Sequence, residues 1–144
     1  MRREFSDDDF LAAFEACTLR EDEFHHADHV RMAFLYVSCH PALEAIRRFS
    51  AALQAFAASL GKAGLYHETI TWAYLLLVRE RLERMREPAG APPDWAAFAA
   101  ANPDLLEGRN AALLAYYRPA TLASPLARRV FVLPDRPEAV PANQ

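Results

Sequence analysis

Apolar residues recur along this chain at helical spacing, three and four positions apart, and no stretch sustains the alternation of a half-buried strand. Phe10, Leu11, Phe14, Cys17 and Leu19 follow Ser6 and three aspartates, a helix-start signal with negative charge at the positive end of the helix dipole. They predict a first helix over about 7–19. A charged connector, Arg20 to Glu23, leads to a second helix. It starts near His26, with His25 at the N-cap and Asp28 in the first turn, and continues through Val30, Ala33, Phe34 and Val37. It stops before Pro41, because the proline ring disfavours helix at His40. Ile46, Phe49, Leu53, Phe56 and Leu60 form a third stripe opposite Arg47 and Arg48, closed by Gly61 and Gly64. The fourth helix is predicted over 68–86, with Ile70, Ala73 and Leu77 on one line and Thr71, Tyr74, Val78 and Leu82 on the next.

Beyond the loop Pro88 to Pro93 the elements shorten. Asp94 caps a helix from Trp95 to Ala101, and Asn102-Pro103 opens another. Leu113 to Tyr117 reads as helical, and Ser124-Pro125 starts a last turn through Arg129. The pattern predicts an all-α fold, a bundle of four main helices with short C-terminal helices packed as a cap. The domain is expected over 1–133, followed by a flexible proline-rich tail, 134–144.

Composition narrows the class. With 144 residues, 53% of them hydrophobic, the chain suits one packed domain rather than disorder. The formal net charge of −3 and the lack of a long basic block argue against nucleic acid and against an anionic membrane surface. The N-terminus has no apolar signal-like core, and the longest apolar run, Trp72 to Val78, is too short to span a bilayer. A cytoplasmic location is expected, with Cys17 and Cys39 as buried, reduced thiols. The alanine-rich helices leave a homodimer open.

The chemistry concentrates in two places. Phe24-His25-His26-Ala27-Asp28-His29 holds three of the five histidines, and a fourth, His67, sits in Tyr66-His67-Glu68-Thr69-Ile70-Thr71. His26 and His29 are three apart on the second helix, and His67 and Thr71 are four apart on the fourth, so each pair shares a face. If the two helices are neighbours, these groups meet at one end of the core. The helix dipole at a first turn disfavours imidazolium, and neutral imidazole is the form that ligates metals or accepts protons. His26, His29, His67 and Glu68 suit one divalent transition metal (Zn, Fe, Mn or Cu) with open positions. The same residues, with Tyr66 and Thr71 as hydrogen-bonding groups, suit metal-free acid/base catalysis equally. His67-Glu68 is followed by Thr71 rather than histidine, so this is not the HExxH metalloprotease motif. Carboxylate-bridged di-iron bundles need a second Glu-x-x-His that is missing here, and no nucleotide-binding motif is present.

The structural alternative is that first-turn histidines serve as helix caps. Lesser candidates are Tyr116, Tyr117, Arg128 and Arg129, which either line a pocket or dock a C-terminal helix, the latter preferred. Glu15 and Arg31 are expected at the solvated surface, and Trp72 and Phe98 in the core. The function expected from these residues is a small-molecule enzyme with a histidine-lined pocket at one end of the bundle. The alternative is a non-catalytic binding module for a small ligand or metal that uses the same pocket.

Phe24, His26 and His29, the run Tyr66 to Thr71, Tyr116-Tyr117, and the segment Leu122 to Asp135 together form a pattern, FxHxxH, YHETxT, YY, LxSPxARxxFVxPD. It resembles a family of small uncharacterised all-helical bacterial proteins. The resemblance covers most of the chain and favours His26, His29 and His67 over His25. That family often has a serine after the second tyrosine, where this chain has Arg118.

Overall fold

A computed structural model describes residues 2–136. Among them the fold is all-helical, with no strand. Seven α-helices follow in order: α1 (Asp7–Glu15), α2 (His26–Cys39), α3 (Ala42–Ser59), α4 (Glu68–Ala89), α5 (Trp95–Ala101), α6 (Pro119–Leu122) and α7 (Pro125–Arg129). Short 3₁₀ turns at Glu21–Glu23, Ala63–Leu65, Pro103–Leu106 and Ala111–Ala115 join them. The longest helix, α4, packs against both α2 and α3, which also pack on each other. The first turns of α2 and α4 come together, as expected if the two helices were neighbours.

Helix α1 is shorter than predicted. Ser6 caps it by accepting from the Asp9 amide at 3.2 Å. Cys17 then adopts a left-handed φ of 60° and turns the chain, so Leu19 packs from outside the helix. Helix α4 is longer than predicted. Pro88 lies in its last turn, where the lost amide removes only one bond, and Gly90 (φ 76°) closes it by donating to the Arg86 carbonyl at 2.8 Å.

The core is aromatic where α1, α2 and α3 meet. Phe14 is fully buried, its ring centroid 5.0 Å from that of Phe24 and 5.7 Å from those of Phe49 and Phe56. Phe24 in turn meets Phe56 edge-on at 5.0 Å. Such offset and T-shaped pairs contribute beyond their buried area. The α3 stripe predicted from spacing is the inward face, although Leu53 and Leu60 remain half-buried. Phe98 is buried, and Trp72 is half-buried, stacked on Phe131 at 5.5 Å.

Several residues differ from expectation. Glu23, read as part of a solvated connector, is wholly covered by Arg3 and Arg20. Its Oε2 accepts from the Arg3 amide at 2.9 Å and its Oε1 from the Arg20 amide at 2.9 Å. Arg31 is not a free surface residue. Its guanidinium donates to the Phe5 carbonyl (3.0 Å) and to Asp7 (2.8 Å), and lies over the Phe10 ring. The opposite charge of Asp7 and the ring face draw it inward. Cys39 is exposed, because the last turn of α2 faces solvent, and Cys17 is half-buried; both are free thiols. Glu15 is exposed as expected, yet accepts a 2.6 Å bond from the Tyr36 hydroxyl.

The C-terminal segment wraps back across α4. Thr69, fully buried, donates to the Val130 carbonyl at 2.8 Å and accepts from the Val132 amide at 3.0 Å. The Tyr117 hydroxyl donates to the Val132 carbonyl at 2.7 Å. Of the expected tail, residues 134–136 belong to this packed segment. The Asp135 amide donates to the Tyr116 carbonyl, and the Asp135 carboxylate bonds Thr121 and the Arg118 amide. Residues 137–144 lie outside the described residues. Among the described residues no helix is long and apolar enough to cross a membrane.

The hydrogen bonds from Arg3 hold the Glu23 carboxyl far below the usual carboxylate range, and the Arg20 and Arg3 amides add to this. A depressed folded-state pKa gives stability that is complete above the ordinary carboxylate pKa of about 4.3 and is lost as pH falls below it. Glu23→Gln should therefore lower Tm by several degrees at pH 7. The difference from wild type should shrink steadily between about pH 4 and pH 2. An acid-independent difference in calorimetry would contradict this.

Candidate functional site

The first turns of α2 and α4 and the inward face of α3 enclose a cavity of about 610 Å³. Its apolar wall comes from Phe24, Leu53, Phe56, Ala57, Leu60 and Ile70, and its polar wall from His25, His29, Tyr66, His67 and Thr71. Glu21, Asp22 and Lys62 complete the lining, and Lys62 is ion-paired with Glu21. A second cavity of about 300 Å³ lies beside it, lined by His26, His29, Ala33, Phe49, Tyr74 and Asn110 among others. His29, Leu53, Ile70 and Thr71 line both, so they form the partition. We call these the outer and inner chambers.

The predicted site residues therefore do gather, but in different chemical states. His67 is the N-cap of α4. Its Nδ1 accepts from the Ile70 amide at 3.1 Å, and its Nε2–H donates to the Leu122 carbonyl at 2.7 Å. Nothing is left on this buried ring for a metal or a catalytic proton without breaking one of these bonds. The capping role weighed in the sequence is the one His67 fills. His26 Nε2–H donates to the Leu105 carbonyl at 2.9 Å, and its ring meets Tyr74 edge-on at 5.3 Å. Leu105 is held in place by its neighbour Asp104, which forms a two-pronged pair with Arg81 of α4 at 3.0 and 2.8 Å.

His29 differs from both. Its ring stacks on Phe24 at 4.0 Å and faces both chambers. Burial is the main cause that lowers its pKa to about 4, and the nearby His26 adds to it. The cause at His29 is burial, not the helix dipole on which the expectation rested.

Tyr66 and Glu68 form a pair at the edge of the outer chamber, the phenol donating to Glu68 Oε1 at 2.6 Å. Burial first, then this carboxylate, push the Tyr66 pKa up to about 12. The hydroxyls of Ser50 and Thr71 act on the phenol in the opposite direction. Thr71 is buried and serves both chambers.

Among the described residues no three His, Cys, Asp or Glu side chains are grouped to hold a metal ion. The set His26, His29, His67 and Glu68 is split: His67 and His26 have bonded to backbone carbonyls, and Glu68 has turned to Tyr66. Sequence spacing placed them on the right faces but could not show what each ring nitrogen would meet.

Other residues of the site carried weaker sequence signals. Ser50 interrupts the apolar face of α3 and is buried, and Asn110 reaches the inner chamber from a loop where Arg109 and Asn110 both have left-handed φ. Arg128, weighed as a carboxylate grip, instead donates to the Gly64 and Tyr66 carbonyls and ties α7 to the loop before α4. Comparison with protein-family models, curated proteins and solved structures finds nothing that matches this chain.

Two outcomes follow. In wild type, the lowered His29 pKa makes stability rise with pH between about 4 and the unfolded value near 6.5, by up to about 3 kcal/mol. His29→Phe should flatten that rise in urea titrations at stepped pH. His67→Ala should cost about 2 kcal/mol, from the lost cap and the Leu122 carbonyl left without its donor. His67→Asn, which can still cap, should cost less.

Proposed function

We propose that this chain binds a small, largely apolar molecule in the cavity between the starts of α2 and α4. One observation carries the reading. A cavity of about 610 Å³, within the range of small-molecule sites, has a continuous apolar wall facing a few hydrogen-bonding groups from three separate helices and loops. In this reading α1–α4 act as a four-helix bundle, and the short C-terminal helices are a cap that closes it. The protein works in the cytoplasm with both thiols reduced, and a homodimer is compatible with its exposed Leu126 and Leu133.

A catalytic role is the second reading, favoured by the Tyr66–Glu68 pair and the neutral His29 on one chamber. His29 would accept a proton and Tyr66 would donate one, the carboxylate of Glu68 orienting the phenol. A transition metal fits less well, because binding at His26 or His67 must displace an existing bond to a backbone carbonyl.

The test uses N-phenyl-1-naphthylamine, an uncharged fluorophore that brightens in apolar surroundings. Saturable, one-to-one binding is expected, weakened at least about tenfold (a loss of about 1.4 kcal/mol) by Ala57→Trp, which fills the outer chamber. Binding that ignores Ala57→Trp in a folded variant places the molecule elsewhere and refutes the reading.

A further inference from the structure

The partition between the chambers says what kind of molecule fits. The outer chamber has its charged residues Glu21, Asp22 and Lys62 on exposed positions, with Lys62 paired to Glu21 and Asp22 paired to Arg20 at 3.1 Å. Farther in, the polar lining consists of His29, Thr71, Tyr66 and His67. The inner chamber is lined by no Asp, Glu, Lys or Arg; its polar groups are His26, His29, Thr71, Tyr74 and Asn110. Tyr74 is more than nine-tenths buried, yet its hydroxyl has no hydrogen-bond partner among the described residues. Buried hydroxyls are normally satisfied, so one left open in the lining of the inner chamber marks a place where something else completes the bonding.

Electrostatics sets the charge of that partner. A carboxylate or phosphate would leave water for a chamber that offers it no cation, and an ammonium for one that offers no carboxylate. Either ion loses far more hydration than neutral hydrogen bonds return. A hydroxyl or amide loses little and can both donate and accept. His29 stays neutral through the physiological range, so it supplies no charge either. His29, Leu53, Ile70 and Thr71 line both chambers, so the two adjoin along these side chains.

Resting on the cavity reading above, we infer that the ligand is an elongated, uncharged amphiphile. Its apolar body lies in the outer chamber, and a hydroxyl or amide head passes between His29 and Thr71 to the Tyr74 hydroxyl.

The experiment displaces N-phenyl-1-naphthylamine from the full chain at pH 7 with four matched chains: 1-octanol, octanoate, octylammonium and 1-chlorooctane. Octanol should displace the probe at least about tenfold more tightly than either ion. It should also be preferred over chlorooctane. Thr71→Val and Tyr74→Phe, both near-isosteric, should each reduce that octanol-to-chlorooctane preference about fivefold, the worth of one neutral hydrogen bond. Octanoate or octylammonium binding as well as octanol would overturn the assignment of an uncharged head. A preference unchanged in both variants would overturn its position in the inner chamber. Either result leaves the cavity reading standing, whereas failure of the probe itself to bind removes both.

Discussion

The Glu23 carboxylate holds the entrance side of this molecule together. It gathers the Arg3 and Arg20 guanidiniums and two backbone amides around one point, and so fixes both the N-terminal strand of chain and the turn that leads into α2. Phe24 follows it directly, and the Phe24 ring supports both the aromatic core through Phe14 and the site through His29. Were the carboxylate protonated or removed, the turn would lose its anchor, and the cavity wall formed by Phe24 would lose its position with it. A charged group that binds nothing foreign therefore governs the shape of the place where a ligand would sit.

The opposite side of the cavity is governed by backbone carbonyls. Leu122 and Leu105 offer theirs to His67 and His26, and Val130 receives Thr69. Each of these carbonyls belongs to the short-helix C-terminal part, and each donor to α2 or α4. The polar side chains at the two helix starts thus serve mainly as joints between the long helices and the chain that crosses them. His29, at the partition, faces both chambers, its pKa lowered mainly by burial.

This explains how far the sequence could be read. Helix identity was legible because the apolar spacing of α2, α3 and α4 is regular and their caps are strong. The end of α1 was not, since a left-handed Cys17 leaves no signature that a glycine would. The meeting of the Tyr66 and His26 segments was legible only on the condition that the second and fourth helices pack together, since the polar residues cluster at those two helix starts. The bonding of each imidazole was not legible. It depends on carbonyls 55 residues from His67 and 79 from His26, and no local pattern encodes those partners. The burial of Glu23 is illegible for a similar reason: its covering arginine, Arg3, lies 20 residues away.

The carbonyl that receives His67 comes from Leu122, long after the helix it anchors has left the growing chain. During synthesis α2, α3 and α4 can associate early, yet the first turn of α4 lacks its lock until the closing segment through Val132 has emerged and folded across it. The wall of the cavity at His67 is accordingly completed only by the last turns of the chain.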